Sequence, residues 1–236
     1  MHRRSFLSTL ASAPIIPSLI AQNAQLRVGV IGHTGRGNYG HGLDTMWLQE
    51  PRTAIVGVSD PDPTGLAASK KRLSAPAAFA DHRSLLEKVR PDILAICPRH
   101  VDQHHQMLKD AIAAGVRGIY IEKPYVRTPE EADEINQLAQ RHGTRIAVAH
   151  RNRYHPALLK TDALLKGGDF GPLLEIRARG KEDNRGGSLD LWVLGSHVLN
   201  LAAFFTGTPV ACSASVLLQG RPVTKTDVRD GDEGIG

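Results

Sequence analysis

From Leu26 onward the chain alternates short β-branched runs, "LRVGVIG", "TAIVGVSD", "DILAICP", "GIYIEKP" and "TRIAVAH", with amphipathic stretches such as "QHHQMLKDAIAAG". Runs that stay apolar without an in-out alternation suit strands covered on both faces. A strand, helix, strand rhythm at this spacing makes right-handed crossovers and a parallel sheet. One crossover helix has clear ends in "TPEEADEINQLAQRHG": Thr128 as cap, Pro129 in the first turn, Glu130 and Glu131 against the dipole, and a stop at Gly143. The expected class is α/β with a doubly wound sheet.

After His150 the pattern changes. A helix over about 156–166 leads through "GGDFGP" to a strand "LLEIRARG", a polar Gly-rich loop "KEDNRGG", an apolar helix "SLDLWVLGSHVLNLAAFF" and a further strand "PVACSASVLLQG". Three segments follow: residues 1–24 as a signal segment, 25–150 as one α/β domain, and 151–236 as a partial second α/β domain with a mainly antiparallel sheet. The first 24 residues pair Arg3-Arg4 with an apolar run and carry no acid before Asp44, a secretory layout that resembles a twin-arginine signal. Pro14 and Pro17 break that run too early for a membrane span. Export to the periplasm is expected; a retained N-terminal anchor and a cytoplasmic location are the alternatives.

The net charge of +5 is scattered and aromatics are only 5% of residues, which argues against a nucleic-acid platform and for anionic small molecules. Cys97 and Cys212 both sit in apolar runs and read as two buried thiols. No CxxC or HExxH spacing points to a metal.

The glycine stretch "VGVIGHTGRGNYGHG" follows the first strand and is expected to open the first helix. There Gly32, Thr34, Gly35, Arg36 and Gly37 would let backbone N–H groups approach a pyrophosphate. Asp60, at the end of the second strand, is placed to accept from the adenosine ribose hydroxyls. An acid there favours NAD over NADP, although Arg36, Lys70 and Lys71 keep NADP open.

These features, with Pro98 to His104, Glu122-Lys123-Pro124 and a later Gly195-Ser196-His197, resemble the Gfo/Idh/MocA family of NAD(P)-dependent oxidoreductases. The resemblance implies a Rossmann-type first domain and hydride transfer between a nicotinamide and a hydroxyl of a sugar, polyol or derivative. Lys123 matches the catalytic lysine and His197 the catalytic histidine. Glu122 would position the lysine or meet the cofactor, His104 would lie near the cofactor, and Pro124 would stiffen the turn through a cis bond. A desolvated Lys123 would have a depressed pKa. Arg153, Tyr154 and Asn184, with Asp183 and Arg185, are candidate substrate contacts, and no metal is implied. Asn200 stands where the family pattern has an aspartate, and Val193 occupies the position one turn before His197.

Two further readings use the same residues: an NAD-recycling glycoside hydrolase, and a non-catalytic dinucleotide- or sugar-binding fragment. Relatives continue well past "RDGDEGIG", so the chain is expected to be short at its C-terminus. The dimer contact of full-length relatives is correspondingly in doubt.

Overall fold

The structure, a computed structural model, describes residues 25–168, 170–180 and 195–227. Six strands, β1 (Leu26–Ile31), β2 (Thr53–Ser59), β3 (Ala78–Phe79), β4 (Ile93–Ile96), β5 (Gly118–Ile121) and β6 (Arg145–Val148), form one parallel sheet ordered β3-β2-β1-β4-β5-β6. Helices α1 (Pro63–Arg72), α2 (His82–Val89), α3 (His104–Ala113) and α4 (Pro129–His142) make the crossovers from β2 to β6. The order reverses between β1 and β4, so their C-terminal ends open a crevice at the switch point.

Every central strand feeds two cores. Leu94, Ile96, Ile119 and Ile121 pack with α2, α3 and α4 on one side, while Val28, Val30, Ala95 and Cys97 pack with Tyr39, Leu43, Val58 and Leu73 on the other. This two-sided burial is why the strands read as continuous apolar runs. Helix α4 keeps its expected ends: Thr128 Oγ1 accepts from Glu131 N at 3.2 Å and Gly143 closes the helix at φ 71°.

Three expectations need correction. No α-helix follows the glycines; turns lead to a 3₁₀ segment at Met46–Gln49. Gly35, Gly37, Asn38, Gly40 and Gly42 all adopt positive φ, and an α-helix cannot run through a series of left-handed residues. In the second half, α5 (Pro156–Gly167) and α6 (Gly195–Thr206) form, but residues 173–180 and 209–216 have no strand pairing among the described residues. The expected strands reduce to a two-residue hairpin, β7 (Leu217–Leu218) with β8 (Arg221–Pro222), turned by left-handed Gln219 and Gly220. A strand exists only through its partner, and without one the side chains face solvent: Leu174 is 90% exposed and Val216 55%. Cys212, expected to be buried, is exposed.

Leu94 sits at the centre of the first core with no exposure. Leu94→Ala is expected to lower the unfolding free energy by about 3 kcal/mol, measured by urea titration.

Candidate active site

Strand β5 lies between β4 and β6, and its ladder continues one residue past the strand, Glu122 N donating to Ile96 O at 2.8 Å. The chain therefore reaches the crevice still enclosed, with Glu122 only 2% exposed and Lys123 4%. Lys123 N donates to Glu122 Oε1 at 3.2 Å. Burial pushes the Glu122 carboxyl up, against the pull of Lys123, its own N–H, the His41 N–H and Arg99. The peptide from Lys123 to Pro124 is cis.

His104 brackets this loop from below. Its ring is fully buried, with Nδ1 2.9 Å from Pro124 O and 3.2 Å from Tyr125 O, and Nε2 2.8 Å from Pro98 O. Burial pulls its pKa down while these carbonyls oppose the shift. The ring expected to lie at the cofactor is thus taken up by main-chain carbonyls and ties the loop after β4 to the loop after β5. Pro98 enters the site through that carbonyl.

The glycine turn approaches the same crevice closely. A Cβ on Gly40 would lie 2.7 Å from Glu122 Oε2 and 2.9 Å from Cys97 O, and one on Gly37 would run into Arg99 N. Close approach explains both glycines, but the neighbours are protein. Four of the N–H groups expected to face a pyrophosphate have protein partners: Gly32 N with Ser59 O, Thr34 N with the Asp60 carboxylate, Gly35 N with Asn38 Oδ1 and Arg36 N with His33 O. Gly32 is covered by the Tyr39 ring, and Arg36 pairs with Asp102 at 2.7 Å.

Asp60 is the clearest departure. It is fully buried, and it accepts from Thr34 N at 3.1 Å, Thr34 Oγ1 at 2.7 Å, Tyr39 Oη at 2.8 Å and Asp62 N at 3.0 Å. The sequence assigned this carboxylate to a ribose; in the structure it anchors the turn instead. Tyr39 Oη also meets Ser69 Oγ at 2.7 Å, and burial pushes the phenol far above its ordinary range.

From the other side come His150, just past β6, and His197 on α6. Their rings meet edge to face with centroids 5.7 Å apart, and both Nδ1 atoms are buried without a partner. Burial, then Lys123, His150, Arg151 and His41, pull His197 down to about 4; burial, Lys123 and Arg153 lower His150. Sequence reasoning missed His150, although its place directly after a strand that ends at the crevice was the available signal. Arg153 lies 5.3 Å over the Phe204 ring, joining the 3₁₀ segment Arg151–Tyr154 to α6, while Tyr154 is 64% exposed. Asp183, Asn184 and Arg185 lie outside the described residues.

A cavity of about 390 Å³ opens beside the turn, between the ends of β1 and β2 and the starts of α2 and α3, lined among others by Gly32, His33, Ser59, Pro61 and Gln103. That volume lies within the range of small-molecule sites, about 300–1,000 Å³. The cavity beside the glycine turn has room for part of a dinucleotide, and Asp60, enclosed by Thr34 and Tyr39, does not line it. Among the described residues no group of three His, Cys, Asp or Glu is placed to hold a metal, and no helix is long and apolar enough to cross a membrane.

Residues 26–150 match the family described as "Oxidoreductase family, NAD-binding Rossmann fold", Gfo/Idh/MocA. The chain belongs to this family. It is 26% identical to the uncharacterized oxidoreductase YdgJ of Escherichia coli, over 84% of this chain and 58% of that protein. It is 24% identical to the scyllo-inositol 2-dehydrogenase (NADP(+)) IolW of Bacillus subtilis, over 82% and 55%. Among solved structures, an NAD binding oxidoreductase from Klebsiella pneumoniae shares 28% identity with TM-score 0.62, over 78% of this chain and 54% of that one. The chain spans about half the length of the relatives it matches.

Two outcomes are expected. Asp60→Ala leaves Tyr39 Oη and the Thr34 donors without their acceptor and is expected to lower stability by about 3 kcal/mol in urea titration, against about 1 kcal/mol for Tyr39→Phe. His197 has a folded pKa depressed to about 4, so it binds fewer protons folded than unfolded between that value and its ordinary 6.5. Its contribution to stability is complete above about pH 6.5 and falls as the solution is acidified toward 4. Ring NMR should show a neutral imidazole at pH 6, and thermal melts should move down across that window less in His197→Phe than in the native chain.

Proposed function

We propose that this chain is an NAD(P)-dependent oxidoreductase that moves a hydride between a nicotinamide and a CH–OH carbon of a sugar-like or polyol substrate. The supporting observation is the position of Lys123: it is 4% exposed next to buried Glu122, the glycine turn closes on that acid at Gly40, and the Lys123 charge reaches Glu122, His150 and His197. A solvated strand-end lysine would have none of these surroundings. Relatives described as inositol and glucoside dehydrogenases support the same substrate class.

When bound, the nicotinamide supplies the hydride acceptor. The chain's own groups manage the proton. His197 is neutral at physiological pH, the form that can take a hydroxyl proton. Lys123 steadies the negative charge that develops on the substrate oxygen. Glu122 balances the ammonium and fixes the loop through the Lys123 N–H. The glycine turn, Gln103 and the cavity beside Ser59 would hold the adenosine half. Asp60, held inside the turn, offers no ground for preferring NAD, so either dinucleotide fits this reading. The Arg3-Arg4 leader supports export, and an exported enzyme of this kind has to retain its dinucleotide, because no free pool exists outside the cytoplasm.

The test is direct. Purified protein should release a nicotinamide dinucleotide on denaturation, and Lys123→Ala should cut turnover by about 10²-fold or more while that dinucleotide stays bound. Undiminished turnover in Lys123→Ala would refute the assignment.

A further inference from the structure

His150 stands on a fixed base beside the proposed reaction centre. The β5–β6 ladder runs past the end of β6, Ala149 N donating to Ile121 O at 2.9 Å, so the chain leaves the sheet at His150 alongside the Glu122-Lys123 end of β5. The His150 main chain is held on both sides: its N donates to Val148 O at 2.7 Å and its O accepts from Arg153 N at 3.2 Å. The ring is half-buried and within reach of the Lys123 charge. His197 comes to it from far along the chain, on the first turn of α6, and α6 docks on the segment that follows His150, where Arg153 lies 5.3 Å over the Phe204 ring.

The two rings cross at 89° with centroids 5.7 Å apart, inside the range of roughly 4.5–7 Å that T-shaped ring pairs prefer. The His197 Nδ1 is buried without a partner, so Nε2 is the nitrogen left to it for taking a proton. A histidine base needs its ring plane fixed, and the usual device is an acceptor, often a carboxylate, bonded to the nitrogen that does no chemistry. That device is missing here. Nothing bonds the His197 Nδ1, and the sequence has no acid within one helical turn of His197 on either side. What does meet the ring is His150. Because the His150 Nδ1 is also buried without a partner, that nitrogen adds no hydrogen bond to the contact.

We propose that His150 is the positioning residue for His197: its ring, packed edge to face from the end of β6, fixes the plane of the His197 imidazole in place of a hydrogen-bonded acceptor. The same contact keeps water from the ring it holds. Burial is the first cause of the lowered His197 pKa, followed by Lys123 from the end of β5, His150 and Arg151 from the segment after β6, and His41 from the glycine turn, all acting in one direction. Removing the His150 ring would admit water and weaken the first of these. This inference rests on the function proposed above and adds to it the group that orients the base.

The full chain and its His150→Ala and His150→Phe variants are compared by ring NMR of His197 and by kinetics with scyllo-inositol as the probe and added NAD or NADP. His150→Ala is expected to cut kcat about tenfold while KM stays within about twofold, the mark of a group that acts on orientation and not on substrate binding. It should also raise the His197 pKa from about 4 toward its ordinary 6.5 and carry the acid limb of the kcat profile up with it. His150→Phe returns a ring without nitrogens, and should restore kcat to within about threefold and hold the His197 pKa low. If His150→Ala does not fold, His150→Leu, which fills the space without a ring, takes its place with the same expected directions. A Phe variant as impaired as Ala, or with a raised His197 pKa, would overturn the proposal, since the nitrogens would then be what matters. So would an Ala or Leu variant with native kcat and a native His197 pKa. The NMR arm needs no turnover, so protein that is free of dinucleotide and inert toward the polyol sinks the function, while the His197 pKa still decides on His150.

Discussion

Placing an ammonium out of water costs several kcal/mol unless its surroundings compensate, and much of this structure follows from doing so at the end of β5. The compensation is local. Glu122 supplies the opposite charge, and its own burial is possible because the ladder to Ile96 carries it inward. Gly40 lets the glycine turn close over the carboxylate, since any side chain there would strike it. His104 meets the carbonyls of Pro98 and Pro124 and so ties the loop after β4 to the loop after β5.

The sheet was legible because parallel strands buried on both faces leave a simple trace, an apolar run of β-branched residues ending in Asp60, Cys97 or Glu122. Helix α4 was legible because Thr128, Pro129 and Gly143 act through their own backbone preferences. The EKP stretch was legible for a related reason: charges directly after a buried strand have few places to go.

What the sequence did not disclose depends on partners distant along the chain. Asp60 looks alike whether it faces a ribose or a turn, and only the placement of Thr34 and Tyr39 decides between them. The glycines promised flexibility without saying that left-handed residues in series would exclude a helix. Residues 173–180 and 209–216 have strand composition, but pairing is a property of two segments, and composition describes one. His150 lacked a motif, and its meaning comes from the His197 ring brought against it by a helix some fifty residues later.

The contrast between the two thiols has a practical side. Cys97 is sealed in the sheet and burial raises its pKa, which suppresses the reactive thiolate, whereas Cys212 lies at the surface of the second half. A maleimide dye applied under mild conditions would therefore attach at Cys212 and leave the nucleotide-binding sheet untouched. The chain comes with its own attachment point for a fluorescent reporter on the 209–216 segment.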